Sequence, residues 1–331
     1  MTLKYIYNRF HQMKHDYIGE TSFVRTCWLW LGWINNAILY GASISDYFAL
    51  GFYKMQHSGK QEYVIYRRYK YIQKIANSTK DIHICRSKID FNNYFADVLG
   101  REWLDMNTVT ENELKNFLDR HEYFFLKDIF SFRGIGVKKM CSKDITIDTI
   151  GTFIRDCRKD PKIHYIIEEP LTEIASLQEF HPNSINTLRV VTFYDTQNGK
   201  VHFMNARLRM GNNYHEVDNF HYEGIAAQID INTGIVKAPG YDSRNNVYMI
   251  HPVSKKQIIG FQIPYWQECK EFIDKTARLL PTVRYVGWDL VIQDNGHFAL
   301  IEANDNADYD SQQLHNKGFW KEYKQLLTNI K

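Results

Sequence analysis

The spacing of apolar positions changes along the chain. Residues 1 to about 80 keep a helical period, rich in aromatic and basic side chains, and give no convincing strand. Ser87-Lys88-Ile89-Asp90 then reads as a capped entry into a helix running towards Leu99. Thr110-Glu111-Asn112-Glu113 opens another helix with a capping box, in which a hydroxyl and a carboxylate three residues apart each satisfy a free backbone N–H. Alternation takes over from there. Strands are predicted at Phe124–Ile129, Tyr165–Glu168, Leu188–Tyr194, Val201–Met210 and Ile225–Ile231, with turns such as Asn198-Gly199 and Asn232-Thr233-Gly234 between them. Glu268–Leu280 and Trp320–Ile330 return to the helical period. The pattern predicts an α+β body behind a helical N-terminal domain, without internal repeats.

The last two predicted strands carry the densest chemistry. Gly287-Trp288-Asp289-Leu290-Val291-Ile292 and Phe298-Ala299-Leu300-Ile301-Glu302-Ala303-Asn304 flank Asn295-Gly296, the strongest short hairpin signal. A two-residue turn there sets Asp289 opposite Glu302 and Gly287 opposite Asn304, all on one face. Two carboxylates directly across a ladder repel unless something positive lies between them. Magnesium is the simplest candidate, held by Asp289, Glu302 and the Asn304 amide oxygen, with Gly287 leaving room. The plain alternative is a solvated acidic hairpin, but apolar Trp288, Leu290, Val291, Leu300 and Ile301 argue that the acids are surrounded by core. On this reading, neutralising either acid leaves the fold intact or firmer, because one repulsion is removed.

Composition narrows the setting. The 331 residues can bury a large core in two or three domains or subdomains. The formal net charge of +3 says little about partners, yet residues 1 to 80 hold 11 Lys or Arg against 4 Asp or Glu while the rest is slightly acidic. Five dispersed cysteines without CxxC spacing make neither a disulfide framework nor a zinc site, so a reducing, cytoplasmic compartment is expected. No signal-peptide pattern opens the chain. The run Cys27 to Tyr40, with Trp28, Trp30 and Trp33, is too short to cross a bilayer and is interrupted by Asn35-Asn36. Core packing is its expected role; resting on an anionic membrane surface is the alternative.

Further residues point to anion binding. Lys127 lies inside an otherwise apolar strand and needs an anion to offset its desolvation. The loop Ser131-Phe132-Arg133-Gly134-Ile135-Gly136-Val137 after it offers backbone N–H groups, with Gly134 and Gly136 allowing close approach to phosphate. It is neither a Walker loop nor a dinucleotide fingerprint, and a mere hairpin turn is the alternative. Arg207 and Arg209 share a strand face and can clamp one anion; whether Arg189 joins them depends on a turn of uncertain length. Tyr165-Ile166-Ile167-Glu168-Glu169-Pro170-Leu171 reads as a strand end able to offer backbone groups to an adenine and a carboxylate to a ribose.

In this order, Lys88, Lys127, the glycine loop, Glu168-Glu169, Asn186 with Arg189 in Asn186-Thr187-Leu188-Arg189, Asp289 and Glu302-Ala303-Asn304 resemble the ATP-grasp superfamily. The whole is similar to its sugar-transfer-associated branch over roughly residues 85 to 310; Asp46-Tyr47-Phe48 and Phe52-Tyr53 add weaker likeness. The resemblance implies an ATP-grasp fold, two α+β subdomains clasping ATP (86–170 and 171–331) behind a helical domain (1–85). It implies Lys88 and Lys127 at the α and β phosphates, residues 131 to 137 with Arg133, Gly134 and Gly136 as a closing loop, and Glu168, Glu169 and Leu171 around adenine. Asn186 completes the nucleotide set, Asp289, Glu302 and Asn304 hold magnesium, and Arg189, Arg207 and Lys127 act on the transferred phosphate or substrate. Glu223-Gly224 departs from an expected Gly-Gly pair, and Glu173 from a polar Gln or His. The activity implied is an ADP-forming carboxylate-amine ligase using ATP and Mg2+, joining an amino acid or other amine to a sugar acid of a surface or capsular polysaccharide. Arg207, Arg209, Asn219 and His221 are the candidates to read substrate. A small-molecule kinase and a non-catalytic nucleotide-binding module are the alternatives. Partners are expected to be small-molecule or glycan-linked carboxylates and amines, not nucleic acid, in the cytoplasm, with peripheral association with the inner membrane face or with polysaccharide machinery as the alternative.

Overall fold

A computed structural model describes residues 2–130, 136–212, 224–313 and 317–328. Two sheets organise them, with antiparallel pairing throughout. The smaller contains β1 (Trp103–Asp105), β2 (Tyr123–Asp128), β3 (Val137–Cys141) and β4 (Tyr165–Glu168) in the order β1-β4-β2-β3. The larger contains β5 (Thr187–Asp195), β6 (Lys200–Met210), β7 (Ile225–Ile229), β8 (Val236–Tyr241), β9 (Val247–Tyr248), β10 (Tyr285–Ile292) and β11 (Phe298–Asn304). Its order is β11-β10-β5-β6-β7-β8-β9.

Each sheet buries one face under helices. On the larger, Leu188, Val190, Leu208, Trp288 and Leu290 pack on Cys269, Ile273 and Ala277 of the helix Trp266–Leu279 and on Phe91 of the helix Lys88–Tyr94. A side chain such as Trp288, 1% exposed, contributes roughly 1.5–3 kcal/mol by that burial. On the smaller, Phe124, Leu126 and Ile167 meet the amphipathic helices Glu111–Arg120 and Ile150–Arg158. One end of the larger sheet's opposite face is closed by Tyr69 and Ile72 of the helix Tyr66–Ala76 and Tyr323 and Leu327 of the helix Trp320–Thr328, packed on Val191, Phe193 and Tyr285. The other end of that face is left for charged side chains.

The N-terminal domain is helical, led by α1 (Leu3–Ile18) and α2 (Phe23–Tyr40). Phe10 stacks on Trp30 with ring centroids 3.8 Å apart, and Tyr47, Phe48 and Phe52 complete a separate core. Buried Asp46 ties this core to the remainder, accepting from the Tyr66 backbone N–H and, at 2.7 Å, from the Tyr309 hydroxyl. Burial raises its carboxyl above the usual range, with those donors opposing.

Some elements differ from the pattern. Ser87 caps its helix through the Asp90 N–H as predicted, but the helix ends at Tyr94 and passes into a 3-10 turn, Ala96–Val98. β1, β3, β8 and β9 were not predicted. β3 is an edge strand whose first three residues are exposed, so alternation gives no signal, and β8 contains Pro239 and Gly240, which ordinarily argue against a strand.

Candidate functional site

The acidic hairpin pairs as expected at its far end, although its turn is different. Gln293 N–H donates to the His297 carbonyl at 2.8 Å and Gly296 N–H to the Gln293 carbonyl at 2.9 Å. The turn therefore takes three residues, Asp294 to Gly296, with Gly296 at φ 79°. That slips the near register by one, so Ile292 faces Phe298 and Leu290 faces Leu300. A bulge at Ile301 restores it, and Asp289 faces Glu302 while Gly287 faces Asn304. Arg101, which sequence reasoning missed, donates to the bulge's Ile301 carbonyl at 3.2 Å and to the Leu300 carbonyl at 3.0 Å.

Register then extends the pair into a row across five strands: Glu302, Asp289, Arg189, Arg207 and Gln228. Arg189 therefore does join Arg207 and Arg209, because Arg189 sits directly opposite Arg207 and Thr187 opposite Arg209. The positive charge beside the acids is arginine. Arg189 grips Asp289 in bidentate fashion, Nε to Oδ1 and Nη2 to Oδ2 at 2.7 Å, and Arg209 Nη1 adds a contact to Oδ2 at 3.0 Å. Gly287 leaves room for this clasp: a Cβ there would lie 2.8 Å from the Ala307 Cβ and 3.2 Å from the Arg189 Cδ. Burial alone would raise the Asp289 carboxyl, but the two guanidiniums outweigh it and hold it at about 2.

The two acids have different surroundings. The Asp289 side chain is 4% exposed and that of Glu302 53%, so Glu302 is not enclosed by core as the flanking residues suggested. Asn304 donates its amide N–H to Glu302 at 2.9 Å, and Arg189 comes within 3.8 Å. Desolvation by the surrounding protein, then the Asp289 charge, raises the Glu302 carboxyl. Among the described residues no group of three or more His, Cys, Asp or Glu could hold a metal ion. Glu302 and Asn304 fit a hard cation that takes its remaining oxygens from phosphate or water. Asp289 as a third ligand does not fit, since both its oxygens are engaged by arginine.

The smaller sheet brings its lysine to the same place. Lys127 Nζ donates to Glu168 Oε2 at 2.6 Å, so the anion offsetting its burial is Glu168. Arg101 reaches the other oxygen at 2.9 Å and Asn92 Oδ1 at 3.1 Å, stitching β4, β11 and the helix Lys88–Tyr94 together. Burial pushes the Glu168 carboxyl up, and Arg101 and Lys127 more than reverse this, to about 2. The Glu168 carboxylate, expected near the adenine, is buried and committed to two cations. Lys88 Nζ donates to the Ile129 carbonyl at 3.1 Å. Burial lowers the Lys88 ammonium, Glu302 opposes that and Lys127 adds to it, so both lysines and Glu302 share one junction between the sheets.

Other predicted residues fall elsewhere. Asn186 is fully buried, its amide donating to Glu173 at 3.0 Å and to the Leu177 carbonyl at 3.0 Å, so it pins the segment before β5 and does not face a nucleotide. The Glu169 carboxylate turns back to the Glu102 N–H at 2.8 Å, and Leu171 is half-buried. Gly136, at φ 77°, stands at the foot of the β2–β3 hairpin. Arg133, Gly134, Asn219, His221 and Glu223 lie outside the described residues. Arg207 is 4% exposed; its Nε donates to Asn205 Oδ1 at 3.3 Å and its Nη2 has no partner among the described residues. Burial lowers its guanidinium to about 10, against the opposing pull of Asp310 and Asp308. A cavity of about 1000 Å³ lined by His202, Met204, Lys270 and Phe319 contains none of the predicted residues.

An antiparallel four-stranded sheet meeting a seven-stranded one at such a charged junction agrees with the family match. Residues 137–328 match the model of the sugar-transfer associated ATP-grasp family. The chain belongs to that family. Its fold is accordingly the ATP-grasp fold, behind a helical N-terminal region. Similar solved structures include the ATP-grasp ligase PsnB complexed with a minimal precursor, at 13% identity and a TM-score of 0.47, over 77% of this chain and 64% of that one. D-alanyl-alanine synthetase A from Vibrio cholerae matches at 14% and 0.43, over 75% and 65%. D-cycloserine synthetase DcsG matches at 10% and 0.43, over 80% of each chain. The chain thus spans less than two thirds of the PsnB chain. No curated protein matches its sequence.

The clasped acids of this ATP-grasp chain make its stability depend on acid pH. Asp289 and Glu168 have folded-state values near 2, below those of the unfolded chain. The stability they contribute, on the order of 2–3 kcal/mol each, is full above the unfolded values and is lost as pH falls from about 4 towards 2. Glu302, raised in the folded state, acts oppositely and costs stability as it ionises. Urea midpoints should therefore drop steeply below about pH 4; a level midpoint down to about pH 3 would contradict both ion-pair assignments.

Proposed function

We propose that this protein is an ATP- and Mg2+-dependent carboxylate-amine ligase that forms ADP, acting on a sugar acid of a surface polysaccharide or its precursor. The observation carrying the reading is Arg207, a buried guanidinium with a nitrogen that has no partner among the described residues, in the same cross-strand row as Asp289 and Glu302. A buried cation so placed favours an anionic acceptor, and a carboxylate matches its planar donors. Lys127, oriented by Glu168, and Lys88 neutralise phosphate oxygens at the sheet junction. Glu302 and Asn304 would hold the cation, which would supply charge neutralisation for the transferring phosphoryl group. Asp289 positions Arg189 and Arg209.

The chemistry follows from the acceptor. A carboxylate repels an amine and has no leaving group at neutral pH. Attack of its oxygen on the γ-phosphorus of ATP, with ADP departing, gives an acyl phosphate; the amine then displaces phosphate and loses a proton. The sugar-transfer family description supports a sugar acid.

Hydroxylamine tests this. Incubated with protein, Mg2+, ATP and a panel of acidic sugars, it should yield a hydroxamate from one of them together with ADP. A stable phosphoester would instead make the protein a kinase, and no ADP with any acid, alcohol or amine would leave a nucleotide-binding module.

A further inference from the structure

The outward face of the N-terminal bundle is apolar where a surface should be polar. α2 turns Leu29 and Trp30 onto Phe10, with Trp33 beside them, so half of the predicted core packing is present. The other half of the helix faces out. Trp28 is 70% exposed, and Val24, Leu31 and Ile38 lie on the same side at 65%, 58% and 76%. Their spacing makes one stripe, interrupted by exposed Asn35, along an 18-residue helix, about 27 Å long. On the neighbouring α1, Tyr7 is also exposed, 4.3 Å from His11, which lies 6.3 Å from the inward-turned Trp30. Contiguous apolar surface of this kind is uncommon on soluble proteins and marks an interaction site.

Charge and composition select the occupant. Residues 1 to 80 carry 11 Lys or Arg against 4 Asp or Glu, unlike the slightly acidic remainder. Arg25 is exposed on α2 beside the apolar stripe, and Lys4 is exposed on the neighbouring α1. Basic side chains rimming Trp, Tyr and aliphatic groups complement an anionic lipid surface, where headgroups meet the cations and acyl chains meet the apolar stripe. Among the described residues no helix is long and apolar enough to cross a membrane. We propose that the outer face of α1 and α2 docks on an anionic bilayer, α2 lying in the interfacial plane. The polar side that a lone amphipathic helix would show to water is here replaced by the bundle core.

Docking does not depend on the ligase reading, and its test uses neither nucleotide nor acid. The full chain is floated with vesicles of phosphatidylcholine alone or mixed with anionic phosphatidylglycerol. It should rise with the anionic vesicles and remain largely below with the neutral ones. Trp28→Glu with Leu31→Glu, both at exposed positions, should lower the bound fraction about tenfold or more, and Lys4→Glu with Arg25→Glu should remove the preference for anionic lipid. Circular dichroism confirms that the variants are folded. No flotation with either vesicle, or flotation unchanged by the Trp28/Leu31 pair, would overturn the proposal. So would a dimer in sedimentation velocity that this pair dissociates, with no vesicle binding, since the face would then join two copies of the chain.

Discussion

Glu302→Gln should leave the protein folded and lower its rate of ADP formation by about a thousandfold or more. Glu302 projects from β11 with its side chain 53% exposed, held by Asn304 at 2.9 Å, so an isosteric amide costs little packing. It also removes a carboxylate that Asp289 already repels, and the thermal midpoint should stay level or rise. The catalytic loss is large because the cation at this place would keep one anionic oxygen fewer while phosphoryl transfer spreads negative charge. ADP release from the acid identified by hydroxamate trapping measures it; a rate within a few-fold of the original would remove Glu302 from the chemistry.

Asp289→Asn should behave differently. Asp289 is the shared counter-ion of Arg189 and Arg209, its side chain only 4% exposed, and neutralising it strands two partly buried guanidiniums. Breaking a buried pair from one side costs roughly 3–5 kcal/mol, so urea unfolding should show a loss of that order. The facing acids alone suggest the opposite, a firmer fold on neutralisation; the arginines reverse the sign for Asp289 and leave it for Glu302. Equal stability of the two variants would mean that the clasp carries little energy.

The contrast shows what the chain made legible. Long strands such as Val201–Met210 and strong caps such as Thr110 were readable because their signals are local: alternating apolar residues in the one, a hydroxyl and a carboxylate three residues apart in the other. The Asp289–Glu302 pairing was right although its turn was wrong: a three-residue turn and a bulge at Ile301 cancel, and no short-range pattern encodes a bulge. What occupies the space beside a charge was not readable. Lys127 and Asp289 announced a need for opposite charge, but that Glu168 and two arginines meet it depends on strands joined across 41 and 80 to 100 residues. Arg101 was invisible for the same reason: only tertiary structure brings it to Glu168 and the Ile301 carbonyl. Asn186, in a segment resembling a nucleotide motif, turned inward to Glu173. At α2 apolar residues on most sides of the helix left the half facing Phe10 indistinguishable from the half facing out.

The central claim is that the junction of the two sheets holds the triphosphate of ATP between Lys88, Lys127 and Glu302. Calorimetric titration of Mg-ATP into the full chain, and into Lys88→Ala and Lys127→Ala variants verified as folded, tests it most directly. The account predicts saturable binding by the parent chain, weakened by about tenfold or more in each variant through loss of a charge-assisted phosphate contact. Equal affinity in all three proteins would contradict it.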